Sequence, residues 1–278
     1  MNEYDKIITT GHKLPIEDLD FLLSDEVRGV RLQLDYLKAE SVMNEYGIDN
    51  TIVIFGSARI KEREAAIETL KRAKESLKQD SNSEQLQYGV EKAEKLLAKS
   101  IYYDEARKFG RLVGNSGEGP EDTRITLMTG GGPGIMEAAN RGASDVGAKS
   151  IGLNIQIPHE QFPNQYITPE LCFKFHYFAM RKLHFLLRAR AFVIFPGGFG
   201  TLDEFFELLL LIQTNKNQAI PIIMIGEEYW SRVINFDFLK EEGVISPVDL
   251  DLFVFAQTAD EAWQHIVDWY EKRSISLF

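Results

Sequence analysis

The stretch AFVIFPGGFGT, residues 191–201, is the strongest single indication of how this chain folds. Its first five residues are all apolar, which is typical of a strand buried on both faces of a parallel sheet. A proline and three glycines follow, and the apolar run over 202–214 then predicts a helix. This order of strand, glycine-rich loop and helix predicts a ligand-binding loop at the carboxyl end of the strand.

The stretch ITLMTGGGPG, residues 125–134, repeats the design, with a helix predicted from 135 to about 146. Glycine lets the backbone approach a ligand, and the helix that follows turns free N–H groups toward an anion. Each loop is therefore a candidate phosphate cradle, although the glycines could also serve only as tight turns. The dinucleotide pattern Gly-x-Gly-x-x-Gly fails because Glu137 stands at its last position, and the P-loop pattern is absent.

Strands and helices alternate along most of the chain. Further strands are predicted at 51–55, 150–155, 171–175, 220–225 and 252–256, and further helices at 61–79, 84–114, 179–190, 228–240 and 260–272. This alternation predicts an α/β fold, a Rossmann-like, doubly wound parallel sheet with helices on both faces.

The domain organisation follows from the same pattern. Residues 1–50 form an N-terminal helical extension, and 51–278 form one Rossmann-like nucleotide-binding domain with a helical insertion at about 61–120. Apolar residues recur at helical spacing in the extension, which predicts one or two amphipathic helices packed on the rest of the chain. They are Leu22, Leu23, Val27, Val30, Leu34 and Leu37.

Composition excludes several classes of function. The 31 basic and 42 acidic residues leave a net charge of -11, which argues against a broad nucleic-acid-binding face. The single cysteine, Cys172, excludes an internal disulfide and a cysteine zinc cluster. Residues 1–5 are acidic and do not resemble a signal peptide, and no apolar run approaches the roughly 20 residues of a membrane span. We therefore expect a cytoplasmic protein without membrane attachment.

Two charged residues accompany the second glycine-rich loop. Thr201 and Glu204 have the spacing of a capping box, in which Thr201 would be the N-cap of the following helix. Alternatively, the Glu204 carboxylate faces the cradle, where it could stabilise an oxocarbenium ion or activate water. Arg181 opens the helix before the strand and is placed to bring a guanidinium to the same cradle, or else lies on the surface.

These residues bear a family resemblance. PGGFGTLDE at 196–204 matches the Pro-Gly-Gly-x-Gly-Thr-x-x-Glu signature of the LOG ("lonely guy") family, formerly labelled "lysine decarboxylase". Met180-Arg181-Lys182, the loop at 130–136 and Phe55-Gly56-Ser57 are similar to its other motifs, so the resemblance covers about residues 50–225.

The resemblance implies a Rossmann-like, usually dimeric enzyme that cleaves the N-glycosidic bond of a nucleoside 5′-monophosphate, such as AMP or a cytokinin nucleotide. It releases free base and ribose 5-phosphate and needs no metal or organic cofactor. The implied catalytic residues are Arg181 and Glu204. The implied substrate-binding residues are Ser57, Gly131, Gly132, Gly134, Met180, Lys182, Gly197, Gly198, Gly200 and Thr201.

The chain departs from the short plant members of the family in its N-terminal extension and in its long 61–124 connection. The choice of base is therefore not implied. Two alternatives remain: a nucleotide or cofactor carrier or sensor without chemistry, and a pyridoxal-dependent decarboxylase, for which Lys182 would have to form the Schiff base. Among the histidines, His159 lies in a proline-rich loop and is expected to be solvated.

Overall fold

The structure, a computed structural model, describes residues 12–157 and 162–278. The acidic start at 1–5 and His159 lie outside these residues. The described part of the chain contains seven strands: β1 Asn50–Phe55, β2 Ile125–Thr129, β3 Ser150–Ile155, β4 Cys172–Phe175, β5 Ala189–Ile194, β6 Ile222–Ile225 and β7 Val254–Ala256. Its α-helices are α1 Leu19–Leu23, α2 Arg28–Glu45, α3 Arg63–Gln79, α4 Glu84–Ala98, α5 Ser100–Gly114, α6 Ile135–Asp145, α7 Phe178–Leu187, α8 Phe199–Gln213, α9 Glu227–Val233, α10 Phe236–Glu241 and α11 Ala259–Glu271.

The strands form one sheet in the order β4-β3-β2-β1-β5-β6-β7, and every neighbouring pair is parallel. The chain runs outward from β1 to β4, returns to β5 on the other side of β1, and then runs outward to β7. The direction reverses between β1 and β5, which is where an open parallel sheet forms a crevice at the carboxyl ends of its strands. The predicted α/β class and Rossmann-like architecture are confirmed.

The central strands are mostly apolar because the sheet is covered on both faces. In β1, Ile52 and Ile54 face one core, which also contains residues of α5, α6 and α11. Val53 and Phe55 face the other core, which contains residues of α2, α7 and α8. Since successive side chains of a strand point to opposite faces, an unbroken apolar run supplies both cores.

The long connection between β1 and β2 contains three helices, so the single helix predicted over 84–114 is wrong. The first of the two helices in this stretch ends before a break at Lys99, whose backbone N–H donates to the carbonyl oxygens of Leu96 and Leu97. Beyond the break, α5 packs on the sheet through Tyr103, Phe109 and other buried residues, and is the crossover helix. Helices α3 and α4 form the additional hairpin, in which Lys74 and Glu94 make a 2.8 Å ion pair.

Two other predicted helices have different limits. Helix α7 ends at Leu187 rather than Arg190, because β5 already begins at Ala189. The helix predicted over 228–240 is two helices, α9 and α10, and the Asn235 side chain accepts a 3.0 Å hydrogen bond from Phe238 N at the start of α10. In the described part of the chain, no helix is both long and apolar enough to cross a membrane.

The N-terminal segment contains the expected helices, but most of the predicted apolar stripe does not pack inward. Leu23, Val30, Leu34 and Leu37 are exposed, whereas Val27 is buried. Helix α2 is held to the rest of the chain by Ala39 and Met43 and by polar side chains that contact α7. An apolar repeat alone does not distinguish a face that packs on its own chain from one that remains open.

Candidate active site

Three loops meet at the carboxyl edge of the sheet, after β1, β2 and β5. Ser57 N donates to the carbonyl oxygen of Pro196 at 3.1 Å, and Ile135 N donates to the carbonyl oxygen of Ser57, also at 3.1 Å. These backbone bonds join the loops into one floor. Above it lies a cleft of about 660 Å³ that is lined by residues of all three loops together with Arg181, Glu204 and Tyr229.

The amino terminus of α8 opens into this cleft. Gly198 is its N-cap, and the first helical bond runs from Leu202 N to the Gly198 carbonyl at 3.0 Å. The N–H groups of Phe199, Gly200 and Thr201 precede that bond and have no partner within the helix. Together with the positive end of the helix dipole, they form an anion site.

The loop before α8 requires glycine at Gly197, where a Cβ atom would collide with the Thr201 side chain. The Tyr229 hydroxyl donates to the Gly197 carbonyl at 2.6 Å and holds the loop from the side of α9. Of the two alternatives for Thr201 and Glu204, the capping box is wrong: α8 begins at Phe199, so Thr201 lies within the first turn and packs on Gly197 instead of capping the helix. Glu204 follows almost one turn later and does not close the helix start.

Glu204 is instead a buried carboxylate beside a buried cation. Its side chain is 14% exposed, and its Oε1 atom lies 3.7 Å from Nη1 of Arg181. Burial raises the pKa of the Glu204 carboxyl to about 7, although the Arg181 charge acts to lower it. At neutral pH the group can therefore exist in either protonation state, as a general acid or base requires.

Arg181 is held by three parts of the fold. Its Nε atom donates to the Leu153 carbonyl at 2.7 Å, and its guanidinium lies 5.2 Å from the centre of the Phe185 ring. A Cβ atom on Gly130 would come too close to Arg181 Nη2 and to the Met136 sulfur, so glycine at this position makes room for the guanidinium. Burial lowers the pKa of Arg181, and the nearby carboxylates oppose that effect.

Helix α2 holds both ends of α7, the helix that carries Arg181. At the start of α7, Asp35 Oδ2 accepts hydrogen bonds from His176 N and Tyr177 N, both at 2.9 Å. Just beyond its end, Glu40 makes a bidentate pair with Arg188 at 2.7 and 2.8 Å. The N-terminal extension is therefore a brace for the helix that positions Arg181.

A histidine also lies in the contact between α2 and α7. His184 is buried, stacks on Tyr36 with ring centres 5.3 Å apart, and has Nε2 3.2 Å from the Tyr36 carbonyl oxygen. Burial lowers its pKa, although Glu40 opposes that effect. His184 is thus a packing residue between α2 and α7 and does not line the cleft.

Comparison with known proteins shows which family this chain belongs to. A family model described as "Possible lysine decarboxylase" matches residues 136–266. Cytokinin riboside 5′-monophosphate phosphoribohydrolase LOG3 of Arabidopsis thaliana is 31% identical over 169 residues, covering 59% of this chain and 73% of that protein. LOG1 of the same plant, which has the same descriptive name, is 30% identical over 150 residues, covering 52% of this chain and 68% of that protein. The chain belongs to the LOG family.

One solved structure is also similar to this LOG-family chain. An X-ray structure of a protein called TM1055 is 19% identical and aligns over 79% of this chain and 99% of its own, with a TM-score of 0.47.

The structure brings together seven of the residues expected to form the LOG-type site. The cleft is lined by Ser57, Arg181, Gly197, Gly198, Gly200, Thr201 and Glu204. Their roles in binding and catalysis remain predictions.

The other five expected residues do not line the cleft: Gly131, Gly132, Gly134, Met180 and Lys182. The Asn164 side-chain amide donates to the carbonyls of Gly131 and Gly132 at 3.2 and 3.1 Å, so this turn is joined to the neighbouring loop. The Lys182 ammonium group contacts carboxylates of α8, Asp203 at 3.2 Å and Glu207 at 3.0 Å. Their assignment to the substrate remains a prediction without support from the cleft geometry.

Several residues of the cleft were missed by the sequence reasoning. Arg59 and Lys99 bring positive charge to it, and Leu96 and Tyr229 form part of its wall. Arg59 lies two residues after Ser57 and could have been found from that proximity. Lys99 and Tyr229 come from the end of the helical insertion and from α9, and no motif marks them. No cluster of three or more His, Cys, Asp or Glu residues suited to a metal ion occurs in residues 12–157 and 162–278.

Replacing Glu204→Gln is expected to change how stability depends on pH. The Glu204 pKa rises from 4.5 to about 7 on folding, so the folded state binds this proton more tightly than the unfolded chain. Ionisation of Glu204 therefore destabilises the wild type progressively as pH rises through this interval, whereas the amide does not ionise. Between pH 5 and 8 the variant should gain about 2 kcal/mol in free energy of unfolding relative to wild type.

Denaturant unfolding at a series of pH values measures this difference. Glu207→Gln, which removes a carboxylate that is 36% exposed from the same helix, separates the effect of burial from that of removing a charge. Parallel pH curves for wild type and Glu204→Gln would contradict the assignment of a raised pKa to this group.

Proposed function

We propose that this chain hydrolyses the N-glycosidic bond of a nucleoside 5′-monophosphate, giving the free base and ribose 5-phosphate. The observation that carries the proposal is the buried pair of Arg181 and Glu204, 3.7 Å apart, in the cleft that the amino terminus of α8 enters. Relatives named cytokinin riboside 5′-monophosphate phosphoribohydrolases support this class of reaction. AMP and cytokinin nucleotides are the substrates to test first.

The geometry supports a division of labour within the cleft. The N–H groups at the start of α8 bind the 5′-phosphate, which anchors the ribose beside Glu204. When the C1′–N bond breaks, its electron pair leaves with the base and positive charge develops on the ribose. The Glu204 carboxylate stabilises this charge and accepts one proton from the water whose oxygen forms the new bond to C1′. The departing base takes up a proton from solvent, and the Glu204 carboxyl later returns its proton to solvent, so that one water is consumed. Arg181 favours the charged form of the carboxylate against the effect of burial, and lies beside it at 3.7 Å.

The other readings find less support. A carrier has no need of a buried carboxylate with a pKa of about 7 beside its ligand. A pyridoxal-dependent decarboxylase needs a lysine in the cleft, and Lys182 is instead bonded to Asp203 and Glu207 on the flank of α8. The cytoplasmic location expected from the sequence remains a prediction.

The central test of the proposed function is hydrolysis of AMP by wild type and by Glu204→Gln. Wild type is expected to release adenine from AMP but not from adenosine, because only AMP has a phosphate for the cradle. The variant should bind AMP with an unchanged Kd and lose at least ~100-fold in kcat, since it has no carboxylate to act as base. Chromatography of the free base and calorimetry of binding measure the two effects.

The wild-type rate should also rise with pH through about 7, as the Glu204 carboxyl ionises. Equal rates for wild type and Glu204→Gln would remove Glu204 from the mechanism. Tight binding of AMP by the wild type with no release of base would instead favour the carrier reading.

Asp35→Ala tests the brace on α7. Loss of both hydrogen bonds to the start of that helix should lower stability by about 1 kcal/mol. It should also lower kcat for AMP by roughly tenfold, because Arg181 loses its fixed position. Asp18→Ala is the matched control, since Asp18 accepts a hydrogen bond from Phe21 N at the start of α1, which does not carry a residue of the cleft. An unchanged kcat for folded Asp35→Ala would show that the brace does not position Arg181.

We also propose that the enzyme is a homodimer or a higher homo-oligomer. Exposed apolar side chains occur on three helices that cover the same face of the sheet: Val30, Leu34 and Leu37 on α2, Phe178 and Leu187 on α7, and Phe206 and Leu210 on α8. A surface of this kind is typical of one covered by another protein. The family resemblance points to a second copy of this chain.

Sedimentation equilibrium tests the oligomer. Wild type should have at least twice the monomer mass, and Leu34→Glu should shift it toward the monomer. Ile67→Glu, at an equally exposed position on the outer hairpin helix α3, should leave the mass unchanged. A monomeric wild type at micromolar concentration would contradict the proposal.

A further inference from the structure

A second cavity opens beside the cleft and is formed by the helical insertion. Its volume is about 460 Å³, and it lies between α3, α4 and the loop that follows β1. Three residues line both spaces: Ala58, Arg59 and Leu96. The two spaces are therefore adjoining parts of one larger depression, and a ligand held at the start of α8 can extend toward the insertion.

Three of the ten residues that line the second cavity are basic, and the other seven are small or apolar. Among the described residues that form it, Arg59, Lys61 and Lys92 are basic and none is acidic. Lys99 adds a fourth positive charge on the wall of the first cleft. In a chain with a net charge of -11, this concentration of cations marks a local site for an anion.

Three acidic residues of this segment are engaged with cations that do not line the cavity. Glu62 pairs with Arg141 at 2.9 Å, Glu68 with Arg72 at 2.9 Å, and Glu94 with Lys74 at 2.8 Å. Among the described residues, none forms a salt bridge with Arg59, Lys61 or Lys92, although Lys61 Nζ donates to Thr69 Oγ1 at 3.3 Å. These three positive charges are available to an anionic ligand.

The space itself results from small side chains on the facing sides of α3 and α4. The wall contains Ala66, Ala73, Gly89 and Ala93. A Cβ atom added to Gly89 would meet no atom within 4 Å, so close packing does not explain the glycine. Lys74 and Glu94 form an exposed ion pair across the same hairpin, and the space beside Gly89 remains open.

We propose that the second cavity binds an additional phosphoryl group of the nucleotide whose 5′-phosphate occupies the start of α8. The inference rests on the proposed function for the position of that first phosphate. The preferred nucleotide then carries one phosphoryl group beyond the 5′-monophosphate of the proposed function, either on its 5′-phosphate or on its 3′-hydroxyl. A free base or an apolar substituent would leave the cationic wall without a partner.

Calorimetric titration of Glu204→Gln protein, in which turnover is blocked, tests this inference. The probes are AMP, ADP and adenosine 3′,5′-bisphosphate, and the latter two distinguish a 5′ from a 3′ extension. One of them is expected to bind about tenfold more tightly than AMP, because it adds contacts with cationic side chains. Failure of both to exceed AMP overturns the proposal.

Four further variants in the same background locate the effect. Lys92→Ala should reduce the affinity of the tighter-binding probe relative to AMP by several-fold. Gly89→Leu, which fills the cavity, should abolish this difference in affinity. Neither substitution should change the Kd for AMP. Lys95→Ala is the charge control, since Lys95 is exposed on the same helix but does not line either cavity. Gly89→Ala is the control for helix propensity and should retain the advantage.

An advantage that survives both Lys92→Ala and Gly89→Leu, or that falls equally in Lys95→Ala, overturns the proposal. The result is distinguishable from failure of the proposed function. If ADP or adenosine 3′,5′-bisphosphate binds more tightly than AMP but the wild type does not hydrolyse AMP, the second site is supported and the proposed hydrolase activity is contradicted. If the wild type hydrolyses AMP but neither probe binds more tightly than AMP, the hydrolase activity is supported and the second site is contradicted.

Discussion

The buried guanidinium of Arg181 is the group around which the cleft is organised. A cation removed from water is stable in a protein only where hydrogen bonds and an opposite charge replace its hydration. The Leu153 carbonyl, the Phe185 ring and the Glu204 carboxylate supply these from β3, α7 and α8. Since the three elements meet at one side chain, none of them can shift without leaving a buried charge unsatisfied.

The N-terminal extension and the insertion act on opposite sides of this centre. Helix α2 fixes the ends of α7 through Asp35 and Glu40, and so stabilises the position of Arg181. Helices α3 and α4 form the cavity beside the cleft, to which Lys92 of α4 and Arg59 of the loop after β1 bring positive charge. In an acidic chain, cations gathered in a cavity attract an anionic ligand to that place and not to the surface in general. Both the N-terminal helix and the hairpin after β1 thus contact elements that form the site.

The elements that were predicted well are those determined by local sequence. Strands β1, β2 and β3 were predicted to within one residue, because each is a short run rich in apolar and β-branched residues that is followed by a glycine or a polar residue. The break at Lys99 was missed because neither glycine nor proline marks it; the chain turns there so that α5 can pack on the sheet. The start of α8 was placed at Leu202 instead of Phe199, since glycine-rich sequence is compatible with both loop and helix.

The amino-acid pattern alone was sufficient to indicate two glycine loops at the carboxyl edge of a parallel sheet, and to associate Arg181 and Glu204 with one of them. It could not show that Glu204 is buried with a pKa of about 7, that α2 braces α7, or that a cationic cavity adjoins the cleft. Strand and turn preferences depend on neighbouring residues. Protonation, bracing and cavity shape depend on groups distant in sequence that only the packed chain brings together, because burial and charge act through space.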